Sequence, residues 1–95
     1  MLMTRGQLAK KYNVDRTTLY YALENFEPVV KFCEENQTLC NHYEEMDALK
    51  AIYAYFKHMR EEARKAYEVF DREENRIMTC MEELNEYEYE QAFGN

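Results

Sequence analysis

Leu8-Ala9-Lys10-Lys11-Tyr12-Asn13-Val14-Asp15-Arg16-Thr17-Thr18-Leu19-Tyr20-Tyr21-Ala22 is the stretch on which the fold turns. Leu8, Ala9 and Tyr12 are spaced as the apolar stripe of one short helix, and Leu19, Ala22, Leu23 and Phe26 as that of a second. Between them Asn13 suits the left-handed backbone of a tight interhelical turn, and Asp15 suits the N-cap of the second helix, with Thr18 at N3. Upstream, Thr4-Arg5-Gly6-Gln7 has the form of a capping box, so the first helix starts at Thr4. Downstream, Glu27 precedes Pro28 and is pushed out of the α region, which ends the second helix near Asn25.

Pro28 is placed as the first residue of a third helix running to about Glu35, with Val29, Val30, Phe32 and Cys33 partly buried. Residues 36–40 read as a loop, and Asn41 as the cap of a further helix. From Leu49 onward a heptad is sustained. Its a positions are Leu49, Phe56, Ala63, Phe70, Ile77 and Leu84, and its d positions Ile52, Met59, Ala66, Glu73, Cys80 and Tyr87. Only Glu73, inside the polar run Asp71–Arg76, breaks the apolar pattern. A strict heptad of this length is the mark of a helix pairing along a seam. Two geometries fit: one helix of about 40 residues and about 60 Å, the preferred one, or a hairpin folding back near Asp71–Asn75. Either favours a homodimer, with Leu49, Ile52, Phe56, Met59, Ala63, Ala66, Phe70, Ile77 and Leu84 in the interface.

The chain has 95 residues, with 2 Gly and 1 Pro, and is 33% charged. That length gives one small domain, and so few turn residues exclude a sandwich or barrel. The expected class is therefore all-α, with a helix-turn-helix head over residues 1–36 and a helical oligomerisation segment over 41–92, sharing one compact unit. No apolar run reaches the roughly 20 residues of a membrane span, and no signal peptide is read at the start. Cys33, Cys40 and Cys80 are odd in number and form no C-x-x-C pair, so neither a disulfide framework nor a zinc site is expected, and the expected location is cytoplasmic. His42 and His58 read as surface histidines, and Tyr53, Tyr55, Tyr67, Tyr87 and Tyr89 as packing or interface residues. No phosphate loop and no nucleophile beside a base is present, so neither an enzyme nor a cofactor is expected.

The net charge of -7 is unevenly distributed. Residues 1–31 hold five basic and three acidic residues, or +2; the other seven basic and sixteen acidic residues give the remainder -9. A weakly basic head thus precedes a strongly acidic body.

The Leu8–Ala22 stretch resembles the helix-turn-helix of phage-type repressors and excisionases, and Arg16-Thr17-Thr18-Leu19-Tyr20-Tyr21 resembles the recognition helix of MerR-like regulators. Ala9 lets the helices cross closely, Asn13 stands where the family most often has Gly, and Val14, Leu19 and Ala22 hold the pair together. The likeness covers about a fifth of the chain. Two features of the MerR-like pattern are missing: Glu27-Pro28-Val29-Val30 stands in place of the usual wing, and the effector-binding half has no counterpart. The resemblance implies a homodimeric, sequence-specific binder of double-stranded DNA, either a small transcriptional regulator or a recombination accessory factor of a phage or mobile element. Arg16, Thr17, Tyr20 and Tyr21 would meet the major groove, and Arg5, Lys10 and Lys11 the phosphates.

Two other readings stand beside this one. The acidic run Glu82–Glu90 could present carboxylates in rows, imitate a phosphate backbone and engage a basic protein partner, as a small phage-type inhibitor of a host or defence factor would. The same head and stalk could also assemble into a ring, like a small terminase subunit in DNA packaging.

Overall fold

The capping box at Thr4 forms as its residue types dictate: the Thr4 hydroxyl accepts from the Gln7 N–H at 3.2 Å, and the Gln7 side chain accepts from the Thr4 N–H at 2.9 Å. In the computed structural model, which describes residues 1–62 and 67–93, Thr4 also closes a short strand, β1 (Leu2–Thr4), so one residue turns the chain from sheet into helix α1 (Arg5–Tyr12). Asn13 takes the left-handed conformation at φ 52° and ψ 52° and returns its N–H to the Ala9 carbonyl. Helix α2 (Arg16–Ala22) follows. Asp15 holds its N-cap backbone position without a side-chain hydrogen bond, and α2 ends at Ala22, short of Asn25. Phe26, expected to face inward, is exposed.

The all-α expectation fails after Pro28. Residues 29–33 form strand β2 (Val29–Cys33) and residues 38–44 form strand β3 (Thr38–Glu44), where a helix, a loop and an Asn41 cap had been expected. The three strands make one antiparallel sheet in the order β1-β3-β2, with Met3 opposite Tyr43 and Phe32 opposite Leu39. Pro28 suits the start of an edge strand as well as that of a helix. The β-branched and aromatic residues of Val29-Val30-Lys31-Phe32 then favour the strand. Gln37, at φ 54°, makes the left-handed turn of the hairpin, and its side-chain amide donates to the Glu34 carbonyl at 2.6 Å. A β-hairpin therefore follows the second helix. Val29, Val30 and Phe32 are exposed, while Cys33 and His42, the latter expected at the surface, are buried. The boundary expected between residues 36 and 41 falls inside this hairpin.

Helix α3 (Glu45–Glu62) begins where β3 ends, and the Glu44 carboxylate accepts from the Asp47 N–H at 3.1 Å. Helix α4 (Tyr67–Phe93) returns against it. The heptad therefore does not run through one long helix. The turn expected at Asp71–Asn75 is absent, since those residues lie inside α4. Leu49, Ile52, Phe56 and Ile77 are buried within the single chain, Phe70 and Leu84 pack against them, and the rings of Phe56 and Phe70 lie 6.4 Å apart. The expected oligomer seam is thus an intramolecular core. Met59 is half-buried, and Ala63 and Ala66 lie outside the described residues. The break at Glu73 is also explained. Glu73 accepts from Arg76 at 2.7 Å, and the neighbouring buried Glu74 takes Arg60 of α3 at 2.7 and 3.4 Å. Tyr53 and Tyr55 pack on the core, but Tyr87 and Tyr89 are exposed.

The fully buried Leu8, Leu19, Leu49, Ile52 and Ile77 join both halves of the chain in one cluster. Each contributes about 1.5–3 kcal/mol from burial. The helix-turn-helix is thereby fixed on a rigid base. Among the described residues no helix is long and apolar enough to cross a membrane.

Candidate nucleic-acid interface

Thr17, Tyr20 and Tyr21 lie on α2 away from buried Leu19 and Leu23, so the same periodicity that anchors the helix presents them outward. An open groove of about 940 Å³ runs past them. Arg5, Gly6, Gln7 and Lys10 of α1 form one wall, Arg16, Thr17, Tyr20 and Tyr21 of α2 form a second, and Glu35, Asn36, Leu39 and Asn41 of the β2–β3 hairpin close the third. Six of the seven residues expected to meet DNA thus line a single depression.

The aromatic pair orders this surface. The rings of Tyr20 and Tyr21 meet edge to face at 5.5 Å, and the Arg5 guanidinium lies 5.7 Å from the Tyr20 ring centre. Arg16 crosses Gly6, whose added Cβ would stand an ordinary 3.6 Å from Arg16 Nη2. Among the described residues Arg5, Lys10 and Arg16 form no ion pair. Three cations therefore face one lining carboxylate, Glu35. Such an arrangement suits an anionic, hydrogen-bonding ligand with flat rings to stack on.

Lys11 is the exception. Its ammonium lies 2.5 Å from Glu45 Oε2, away from the groove, and the Tyr12 hydroxyl donates to the same oxygen. Glu45 is almost wholly buried. Burial pushes its carboxyl up, but hydrogen bonds from Lys11 and Tyr12 and the charge of Lys11 outweigh this and hold it below the ordinary value. Burial, together with the Glu45 hydrogen bond and charge, raises the Tyr12 phenol far above its usual range. The expected phosphate contact at Lys11 is thus replaced by a tie from α1 to α3.

A second tie comes from α4. Arg76 donates to the Tyr12 carbonyl at 2.5 Å and to the Asn13 carbonyl at 3.4 Å, while Glu73 holds its guanidinium. These are carbonyls that the end of α1 leaves without a helical partner. Arg76 thus caps α1 from a different part of the chain and fixes the turn into α2.

The hairpin residues, and Arg76 behind the turn, were missed from sequence. The only local signal for the hairpin was the β-branched pair Val29-Val30 followed by the polar run Glu34–Gln37. Among the described residues no group of His, Cys, Asp and Glu could hold a metal ion, and all three cysteines are free. Comparison with known protein families, characterised proteins and solved structures finds no match.

Proposed function

We propose that this chain binds double-stranded DNA, with α2 entering the major groove and the β2–β3 hairpin lying against the adjoining backbone. The observation that carries this reading is the groove itself: three cations with no ion pair among the described residues beside two exposed tyrosines, on a helix-turn-helix pinned from behind by Glu45 and Arg76. Helix α2 has 7 residues, about 10 Å of helix, and fits a major groove about 12 Å wide. Arg16 in its first turn forks onto a guanine edge or a phosphate, Thr17 and Tyr20 reach bases or sugars, and Arg5 and Lys10 hold phosphates. Three cations per copy give weak binding alone, so useful affinity needs more than one copy on the duplex. A role in regulation or recombination of a mobile element follows from the same reading.

Binding measured by fluorescence anisotropy on duplexes recovered from genomic fragments tests this. Arg16→Ala with Tyr20→Ala should weaken binding by about 10- to 100-fold and flatten its salt dependence, with helix content unchanged. Undiminished binding by the double variant removes α2 as the reading element.

One observation favours a second reading. Past Leu84, helix α4 is exposed on all sides through residue 91, and Glu82, Glu83, Glu86, Glu88 and Glu90 make no ion pair among the described residues. A rod of this kind suits a basic protein groove. In that case Glu83→Lys, Glu86→Lys and Glu90→Lys together abolish capture of the partner, and the α2 change has no effect.

A further inference from the structure

The β2–β3 hairpin carries more apolar surface than a hairpin facing water requires. Val30 and Phe32 alternate onto one face of the edge strand and are 58% and 57% exposed, with Leu39 opposite Phe32 and 67% exposed. Beyond them, at the tip, Glu34 and Glu35 are exposed and unpaired among the described residues. Elsewhere on the molecule, an open cleft of about 350 Å³ runs between the end of α2 and the outer face of α3. Tyr21, Phe26, Ala51, Ala54 and Tyr55 supply its apolar walls, and Lys50 and His58 stand on its rim without an ion pair among the described residues. No residue of the chain's own hairpin lines this cleft.

We propose that Val30 and Phe32 of one copy seat in the α2–α3 cleft of a second copy, with Glu34 and Glu35 against Lys50 and His58. Each surface offers what the other lacks: an apolar projection with carboxylates at its tip, and an apolar recess with basic groups at its edge. Apolar patches rimmed by charge mark protein contacts, and opposite signs across such a contact fix its orientation. Both surfaces belong to the same sequence, so the partner that fits is another copy. The contact is heterologous, since projection and recess are different surfaces, and it therefore extends head to tail instead of closing as a pair. It also supplies a link between copies that the α3–α4 seam, closed within one chain, does not offer. The contact does not rest on the DNA reading.

Sedimentation velocity over a concentration series, without DNA, tests the contact. The wild type should grow in mass with concentration and show no plateau at the dimer. Phe32→Ser spoils the projection and Ala54→Arg the recess; both positions are exposed, so unchanged circular dichroism is expected. Each variant alone should associate at least about tenfold more weakly, the loss of a little over 1 kcal/mol typical of an anchoring residue. Their equimolar mixture should form a one-to-one complex, because one intact projection and one intact recess remain. As a check that does not depend on those two variants, Glu34→Lys with Glu35→Lys should weaken association, and Lys50→Glu should restore it in a mixture. A wild type that stays monomeric at every concentration overturns the proposal, and so does a mixture that fails to complement. A wild type that is strictly monomeric and still binds DNA overturns the contact and leaves the groove reading standing.

Discussion

Lys10 and Lys11 are neighbours on one helix with opposite fates, and the regions they belong to differ in the same way. On the groove side, Arg5, Lys10 and Arg16 form no ion pair among the described residues. On the clamp side, Lys11, Arg76 and Arg60 are each met by an acceptor from another element: Glu45, the carbonyls ending α1, and Glu74. Charge on one side ties elements of the fold together, and charge on the other lines an open groove. Changes behind the turn should therefore act on stability, and changes in the groove on affinity.

The largest effect belongs to the core on which both regions rest. Ile77→Ala should destabilise the fold by about 2–5 kcal/mol in chemical denaturation, since the residue is fully buried where α4 meets the rest of the cluster. This loss should not vary with protein concentration, because the seam is closed within one chain. A concentration-dependent loss would return the seam to the role of oligomer interface.

Next comes the clamp. Glu45→Ala removes the common acceptor of Lys11 and Tyr12 and leaves a buried hydroxyl unsatisfied, at a cost of about 1–3 kcal/mol. Affinity per folded molecule should stay within about twofold, less than half of 1 kcal/mol. The pH dependence follows from the lowered Glu45 pKa. A carboxyl held lower in the folded chain than in the unfolded one stabilises above the unfolded value of 4.5, and this contribution is lost as pH falls through the folded value. Thermal unfolding from pH 7 to pH 3 should show wild type and Glu45→Ala converging as pH drops.

The smallest effect is the sharpest contrast. Lys10→Ala should weaken DNA binding by a few-fold, roughly one phosphate contact, and lower the salt slope by about one, with little change in melting temperature. Lys11→Ala should do the reverse, slightly lowering the melting temperature and leaving the salt slope alone. Equal effects on binding would erase the division between groove and clamp.

The legible part of this molecule is the part governed by local hydrogen bonds. The Thr4–Gln7 box and the left-handed turn at Asn13 involve residues three or four apart, so their residue types suffice. What was illegible depends on distant partners. Strand β3 is held between β1, some forty residues earlier, and β2, and Pro28 fits the start of a helix as readily as that of an edge strand. The heptad was real as a pattern, but a seam folded back on itself and a seam between two chains use the same residues. Lys11 could not be told from Lys10 because the carboxylate that takes it lies 34 residues away, and Arg76 reaches the turn from 64 residues away. Six groove residues emerged from sequence because the outward face of a short helix follows from its inward one.

The claim on which the account depends is that the groove, and no other surface, meets the duplex. Amide chemical shifts of the isotopically labelled chain, followed while duplex DNA is titrated in, test it most directly. The account predicts shifts concentrated at Arg5–Gln7, Arg16–Tyr21 and the hairpin residues 35–41, fading as salt is raised. Shifts absent from α2, or confined to the acidic end of α4, would contradict it.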